Sequence, residues 1–496
     1  MQRLLSTLLA AALTVAAPWA PASPAAKRPS AQPKTGPTPA AASAAANASG
    51  ATAPPAGRCI DEDRIDTVGA NLATPAATPA TTPAADQASP PAADPRATLQ
   101  GLVRDSLARS QAVGASQLMA EAALSDVDEA RSARLPQASL SGGFGPGGAQ
   151  QAGVSQTALA QLRAGVNVSQ LLYDGGRTKS LTNWRTQLAE SARYGHLSQQ
   201  EQVALGAVTL ALERSRLRMQ TQVYRQTARK MACLVEALET IVRADRGRSS
   251  ELVQASKSLK QAELALSQSQ SLMRQTDARL RRLVGDALPG VEGLATVFSG
   301  VPDRDALLAE VERSYEVAQL DAQVAASREL ADAVAAGGKP QVSLSASTSA
   351  ALSAGGSSGS TRSGNYAVGV VLNVPLYNPG LAPSTDAARK RSRAALLQRA
   401  DEVESRRARV AEVHEQALAA LDRVKRLSDV LRDSDQVRNF TLQQWQQLGR
   451  RSLFDVMGAE SEHYSLRLAY VNALHDVQQA NANLLSLGRG VSAWLN

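Results

Sequence analysis

The sequence predicts a mixed α and β membrane protein with an internal duplication, built from long helices and β-hairpins. Residues 136–141 (PQASLS) return 204 residues later as 340–345 (PQVSLS), and 172–176 (LYDGG) return at the same offset as 376–380 (LYNPG). Four segments alternate apolar and polar residues as strands do, and two long segments carry heptad rows. A duplicated chain builds two related units that pack as one symmetric object. This favours a scaffold, tube or ring over a single catalytic cleft.

The N-terminus predicts export. A short basic start, an apolar run over 4–17 and a small-residue cleavage site indicate a signal peptide over 1–22. Residues 23–96 are rich in Pro, Ala and Thr, and we expect a disordered tail there. Cys59 lies in this tail and Cys233 in a predicted helix. The pattern favours two unpaired thiols over a disulfide from tail to body, and we expect no lipid anchor at Cys59.

The remaining chain is predicted to form two repeats, 97–300 and 301–496. Each reads as helix, strand, strand, very long helix, turn and helix, with the hairpins at about 137–173 and 341–377. The strands carry one apolar and one small polar face over roughly ten residues, which suits strands that cross a membrane. Four strands cannot close a barrel, for which about eight is the usual minimum, and lipid does not tolerate open edges. Several chains must therefore contribute hairpins, unless the sheet is soluble and packs on a helical body.

The long helices carry strict seven-residue apolar rows. The rows are Val203, Leu210, Leu217, Tyr224, Met231 and Leu238 in the first repeat, and Leu396, Val403, Val410, Ala417, Val424 and Leu431 in the second. Rows of this length predict coiled-coil packing, and at 1.5 Å per residue each helix approaches about 100 Å. Such helices would project away from a membrane. The two rows are out of phase under the 204-residue offset, which predicts a weaker repeat or compensating insertions here.

Each long helix is predicted to end in a tight turn at the far end from the strands. Gly247 and Gly449 end the helices, and Glu251 and Asp455 stand in the first turn of the helices that follow. Helix capping is one interpretation of this pattern. A charged constriction at the mouth of a tube is the other.

No pattern in the sequence predicts an enzyme. The four histidines lack metal-ligand spacing, and phosphate-binding and nucleophile motifs are absent, so we expect neither a cofactor nor a metal. The net charge of +8 comes from basic residues interleaved with acidic ones along the helices, as on solvated faces. Nucleic acid is therefore not an expected partner.

Two motifs resemble those of TolC-type outer-membrane efflux proteins. One is the strand-to-helix segment 172–177 (LYDGGR), with Tyr173, Asp174, Gly175 and Gly176 and the second-repeat counterparts Tyr377, Asn378 and Gly380. The other is the turn 449–456 (GRRSLFDV) with Ala459 and Glu460 after it. The resemblance covers about 97–490.

The resemblance implies a homotrimer in the outer membrane of a Gram-negative bacterium. Twelve strands would form a β-barrel in outer-membrane lipid, continued by a periplasmic coiled-coil barrel of twelve helices. The expected partners are a periplasmic adaptor and an inner-membrane ABC or proton-driven transporter. Arg451 and Asp455 match residues that close the periplasmic entrance in the family. Gly458 stands where TolC has a second Asp, and Glu251 holds the equivalent place in the first repeat.

The sequence therefore predicts an export duct of a tripartite system for type I secretion or multidrug efflux. The tip motif and the expected lack of a lipid anchor slightly favour polypeptide cargo over small molecules. The alternative is a secreted coiled-coil spacer or adhesin without transport activity, which would explain the heptads but not the two amphipathic hairpins.

Overall fold

The helices and strands follow one another in the predicted order. The computed structural model describes residues 94–151, 154–288, 290, 293–298, 300–354, 361–448 and 452–495, within the unit Gly57–Asn496. The predicted signal peptide and nearly all of the predicted tail lie outside the described residues. The elements are α1 Pro95–Arg109, α2 Gln111–Ser132, β1 Gln137–Gln151, β2 Val154–Tyr173, α3 Arg177–Ala244, α4 Ser249–Val284, α5 Arg304–Val311, α6 Tyr315–Ala336, β3 Gln341–Ala354, β4 Thr361–Asn373, α7 Leu381–Leu448, α8 Leu453–Leu487 and α9 Val491–Leu495.

The two long helices keep the 204-residue offset at both ends. Helices α3 and α7 each have 68 residues, so no net insertion separates them. Their heptad rows differ in phase because the two helices bury different faces. Val403, Val410, Ala417 and Val424 are buried in α7, whereas the equivalent residues of α3 (199, 206, 213 and 220) are only half-buried. None of the described helices has both the length and the apolar character needed to span a bilayer.

The helix predicted before each hairpin is in fact two helices. Ser110 separates α1 from α2, and its Oγ accepts a hydrogen bond from the Val113 N–H at 3.3 Å. Ser314, 204 residues later, separates α5 from α6, but its Oγ makes no capping hydrogen bond within the described residues. Serine favours the residue before a helix because its hydroxyl satisfies an amide of the first turn. The prediction of one helix was therefore wrong at this point in both repeats.

The four strands form one antiparallel sheet in the order β1-β2-β3-β4. The register aligns Leu140, Val166, Thr348 and Tyr366 across it, so these four side chains share a face. That face also carries Phe144, Leu162, Val168, Leu344, Leu352, Val368, Val370 and Leu372, most of them exposed. The opposite face carries mostly Ser, Asn, Gly and Ala. The predicted amphipathic hairpins are confirmed, and β1 and β4 form the two edges of the sheet.

The helical body is held together where the repeats meet. The largest buried cluster joins α1, α3, α4, α8 and α9, with Leu99, Leu212, Leu280, Leu294, Phe298 and Val491 among its members. The Glu201 carboxylate accepts hydrogen bonds from the Val491 and Ser492 amides, which fixes α9 to α3. Burial raises the pKa of Glu201 despite these hydrogen bonds. The ring of Trp494 lies 4.7 Å from that of Phe298, so the C-terminal helix also holds the connection between the repeats.

Candidate functional site

The strand-to-helix junction of the first repeat is built around the Asp174 carboxylate. Its Oδ1 accepts the Gly176 N–H at 3.1 Å, and its Oδ2 accepts the Thr178 N–H. Burial alone would raise the pKa of Asp174, but these hydrogen bonds and the positive charge of Arg134 outweigh burial and lower it. The carboxylate therefore stays ionised and satisfies the free amides at the start of α3.

The junction of the second repeat keeps one of these two hydrogen bonds, with a neutral side chain as the acceptor. Asn378 Oδ1 accepts the Gly380 N–H at 3.1 Å, in the place of Asp174. Pro379 replaces Gly175, however, and the proline ring holds φ near −65°. In the first repeat Gly175 and Gly176 both have positive φ, whereas Gly380 does not. The two junctions therefore share one hydrogen bond to the backbone but not their backbone conformation.

Replacement of Gly175 by alanine is expected to destabilise this junction. Gly175 has a φ of +65°, and an added Cβ would lie 2.4 Å from Cβ of Lys339. The left-handed conformation alone costs a non-glycine residue about 1–2 kcal/mol, and the clash adds to this. Thermal unfolding of the detergent-solubilised protein would measure the loss.

Gly176→Ala is the matched control, since its φ is +91° but nothing lies within 4 Å of the added Cβ. We expect a smaller loss than for Gly175→Ala. Equal losses would show that backbone strain acts without the contact to Lys339.

Two tyrosines lie at the base of the sheet, one at each junction. Tyr173 ends β2 and Tyr377 follows β4, and both side chains are exposed beside the apolar face. Amphipathic aromatic side chains are typical of the boundary between lipid and water. Their position thus marks one rim of the apolar face.

The tip of the first repeat is a short 3₁₀ turn between α3 and α4. Asp245 Oδ1 accepts the Gly247 N–H at 3.0 Å and closes the turn over Arg246–Arg248. Glu251 stands in the first turn of α4. Its Oε2 atom is buried and accepts no hydrogen bond from the described part of the chain. Since Arg248 occupies the N-cap position, no side chain is placed to complete a capping box with Glu251.

The tip of the second repeat has the capping box that the first repeat lacks. Asp455 donates its amide to Ser452 Oγ at 3.2 Å, and Asp455 Oδ2 accepts the Ser452 N–H at 3.1 Å. Gly458 is exposed one turn further along α8, with open space around its Cα. Gly449 and Arg451, which the sequence assigns to this turn, lie outside the described residues.

The two tips lie side by side. A buried cluster contains Leu238 of α3, Ala255 of α4, and Leu453 and Met457 of α8, and Trp445 of α7 packs against it. Glu251 and Asp455 each stand within one turn of a member of this cluster. Both carboxylates therefore belong to the same end of the helical body, as the sequence predicts.

A buried ionic cluster lies further along the same helices, and sequence reasoning missed it. We call Gln226, Lys230, Arg438, Glu460 and Arg467 the Glu460 cluster. The Glu460 carboxylate lies 3.7 Å from Lys230 Nζ and 3.9 Å from Arg438 Nη1. Arg467 donates to Gln226 Oε1 at 2.6 Å. The sequence does carry one signal for this cluster. Residues 453, 456, 460, 463 and 467 have the spacing of an apolar heptad seam, and Glu460 and Arg467 are charged residues within it.

The expectation of two unpaired thiols was wrong. Cys233, on α3 near the tips, is engaged in a disulfide bond. Sequence reasoning could not find this bond, because a single cysteine in a predicted helix carries no spacing signal.

Comparison with known proteins places this architecture in a family. The outer membrane efflux protein family matches residues 102–286 and 309–488, which together exceed half of the chain. No curated protein matches at a significant level.

Solved structures share the fold at low sequence identity. A membrane protein from Pseudomonas aeruginosa aligns with a TM-score of 0.69 at 18% identity, covering 82% of this chain and 99% of that one. VceC, an outer membrane protein of Vibrio cholerae, aligns with a TM-score of 0.66 at 18% identity, covering 79% of this chain and 97% of that one. The CmeC outer membrane channel of Campylobacter jejuni aligns with a TM-score of 0.66 at 12% identity, covering 79% of this chain and 85% of that one.

The duplicated helices, the four-stranded amphipathic sheet and the match over both repeats agree with one another. The chain therefore belongs to the outer membrane efflux protein family, and it serves as an efflux channel of the outer membrane.

Proposed function

We propose that three copies of the chain form one continuous duct. The observation that carries the proposal is the four-stranded sheet with an exposed apolar face and two open edges, β1 and β4. In lipid, open edges leave backbone amides and carbonyls without hydrogen bonds, so the sheet needs partners at both edges. Three sheets joined edge to edge give twelve strands, which is enough to enclose a water-filled lumen. The small polar side chains would line that lumen.

The helices continue the duct as a coiled-coil barrel. Each chain supplies α3, α4, α7 and α8, so a trimer supplies twelve helices. Apolar side chains are exposed along α4 and α7, among them Val253, Leu264, Leu272, Leu418, Val430 and Phe440. Such rows favour burial against neighbouring chains.

In this arrangement the tips face the periplasm, where an adaptor and an inner-membrane transporter deliver cargo. The transporter is of the ABC class, with a polypeptide as cargo, or of the proton-driven class, with a small molecule as cargo.

We also propose a signal peptide over 1–22, a tail over 23–96 and repeat boundaries near 300. N-terminal sequencing of the exported protein checks the first of these.

The proposed gate is the ring of tips. Arg451, Asp455 and Glu251 would form charged contacts between neighbouring chains, and Gly458 adds no charge to the ring. An exposed ion pair contributes only about 0–1 kcal/mol, but three-fold symmetry repeats it. A gate held by weak repeated contacts opens when an adaptor binds the open state more tightly.

Asp455→Asn is expected to raise the closed-state conductance. The amide oxygen of Asn keeps an acceptor for the Ser452 N–H, while the negative charge is lost. If charge closes the entrance, single-channel recording in planar bilayers detects a larger or more frequently open pore.

Ser452→Ala is the matched control, because it removes the cap of α8, worth about 1 kcal/mol, and keeps the charge of Asp455. We expect lower thermal stability and an unchanged conductance. An effect of Ser452→Ala alone would mean that the cap, not the charge, holds the entrance shut.

The duct itself is tested on the protein extracted from outer membranes. We expect a detergent-dependent particle with the mass of three chains and a small, flickering conductance in planar bilayers. A monomer or a particle without conductance would contradict the proposal.

A further inference from the structure

We propose that residues 57–66 bind the helical body beside the tips, through a disulfide between Cys59 and Cys233 and a contact of complementary charge. The first observation is that Cys233 is disulfide-bonded. The chain has two cysteines, and the other is Cys59. Forming the bond removes two protons and two electrons from the two thiols. A protein disulfide of the oxidising compartment outside the inner membrane accepts them and becomes two thiols.

The position of Cys233 favours such an anchor. Cys233 lies on α3 eleven residues before its last residue, Ala244, which is about 16 Å along the helix. Lys230 and Gln226 precede it by one and two turns on the same face. The disulfide is thus next to the Glu460 cluster, to which both residues belong.

The Glu460 cluster is positively charged. It contains the three cations Lys230, Arg438 and Arg467 and one carboxylate, and Glu460 is fully buried. Asp435 adds a negative charge at the rim through its contact with Arg438 at 2.8 Å, and Arg229 adds a positive charge on α3. The sum over these six side chains is a net charge of +2. A surface with this net charge favours a segment of opposite charge.

Residues 57–66 (GRCIDEDRID) have the opposite charge. They contain four acidic and two basic side chains, which give a net charge of −2. Asp61, Glu62 and Asp63 follow Cys59 by two to four residues, and an extended chain advances about 3.3–3.6 Å per residue. The three carboxylates thus reach about 7–14 Å from Cys59. That distance matches the one or two helical turns, of 5.4 Å each, between Cys233 and the cations of the cluster.

The segment that contacts the Glu460 cluster is therefore residues 57–66 of the same chain. The disulfide makes the contact intramolecular, so weak charge pairs are sufficient to hold it.

Peptide mapping of the full-length protein tests the bond. The detergent-solubilised protein is alkylated without reduction and digested with trypsin. We expect residues 59–64 (CIDEDR) linked to residues 231–243 (MACLVEALETIVR), and release of both by reductant. Alkylation of both thiols before reduction, or chains cross-linked to one another through cysteine, would overturn the proposal.

Limited proteolysis of the native protein tests the charged contact. In the unchanged protein we expect trypsin to cleave after Arg64 about tenfold or more slowly than after Lys34, which lies upstream in the same tail. Cys59→Ser, and separately the triple change Asp61→Asn, Glu62→Gln, Asp63→Asn, should remove most of this protection. Cleavage after Arg64 as fast as after Lys34 in the unchanged protein would overturn the proposed contact.

Asp86→Asn is the control variant, because it removes a carboxylate from the tail outside the segment. It should leave both cleavage rates unchanged. A loss of protection as large as that of the triple variant would also count against the contact, since any acidic residue of the tail would then suffice.

Discussion

Val368→Arg is expected to abolish assembly of the channel in the outer membrane. Val368 lies at the middle of β4, pairs with Ala346 of β3, and is 75% exposed on the apolar face. An arginine on the lipid face near the middle of the bilayer costs about 2–4 kcal/mol, and a trimer incurs this cost three times. Because β4 is also an edge strand, the charge would oppose both insertion and pairing with the next chain. The yield of trimer in the outer-membrane fraction measures the effect.

Ala367→Arg is the matched control for this prediction. Ala367 is the preceding residue of the same strand, and it lies on the polar face opposite Ser347. A lumen-facing arginine contacts water, so we expect normal assembly and an altered conductance. A normal yield of Val368→Arg trimers, or equal losses for the two variants, would mean that the apolar face does not contact lipid.

Glu460→Ala is expected to cause the largest loss of stability in the helical body. The change leaves Lys230 and Arg438 in a buried site without the carboxylate that lies within 4 Å of both. Removal of one partner from a buried ion pair typically costs about 3–5 kcal/mol. The midpoint of thermal unfolding of the solubilised protein should fall strongly.

Glu462→Ala removes the same side chain from an exposed position two residues further along α8. We expect an effect within about 0.5 kcal/mol, as for most surface substitutions. Similar losses for the two variants would show that the Glu460 cluster contributes nothing beyond helix propensity. A further variant, Glu460→Gln, keeps the volume of the side chain and separates the loss of charge from the loss of packing.

The sequence predicted the helices and strands well, because both kinds of element depend on local periodicity. The alternation of Leu162, Ala164, Val166 and Val168 with polar residues marks the apolar face of β2 in the sequence itself. The heptad row from Val203 to Leu238 lies within α3, which ends at Ala244, where the turn residues Asp245 and Gly247 begin. These features are encoded by residues close together in the chain.

Other features depend on contacts between distant residues and could not be predicted. The role of Glu460 follows from Lys230 on one helix and Arg438 on another, and no local pattern connects them. The phase difference between the long helices arises because α3 and α7 bury different faces, although both have the same length. Only the breaks at Ser110 and Ser314 had a local signal, the N-cap preference of serine.

The two open edges of the sheet have a genetic consequence. In a ring of three chains, every copy must present an intact β1 to one neighbour and an intact β4 to the other, so a single defective edge breaks the whole ring. If a normal and a defective allele are expressed equally and mix at random, only about one-eighth of the rings contain normal chains alone. Alleles that damage β4 are therefore expected to be dominant, whereas alleles that stop export of the chain are expected to be recessive.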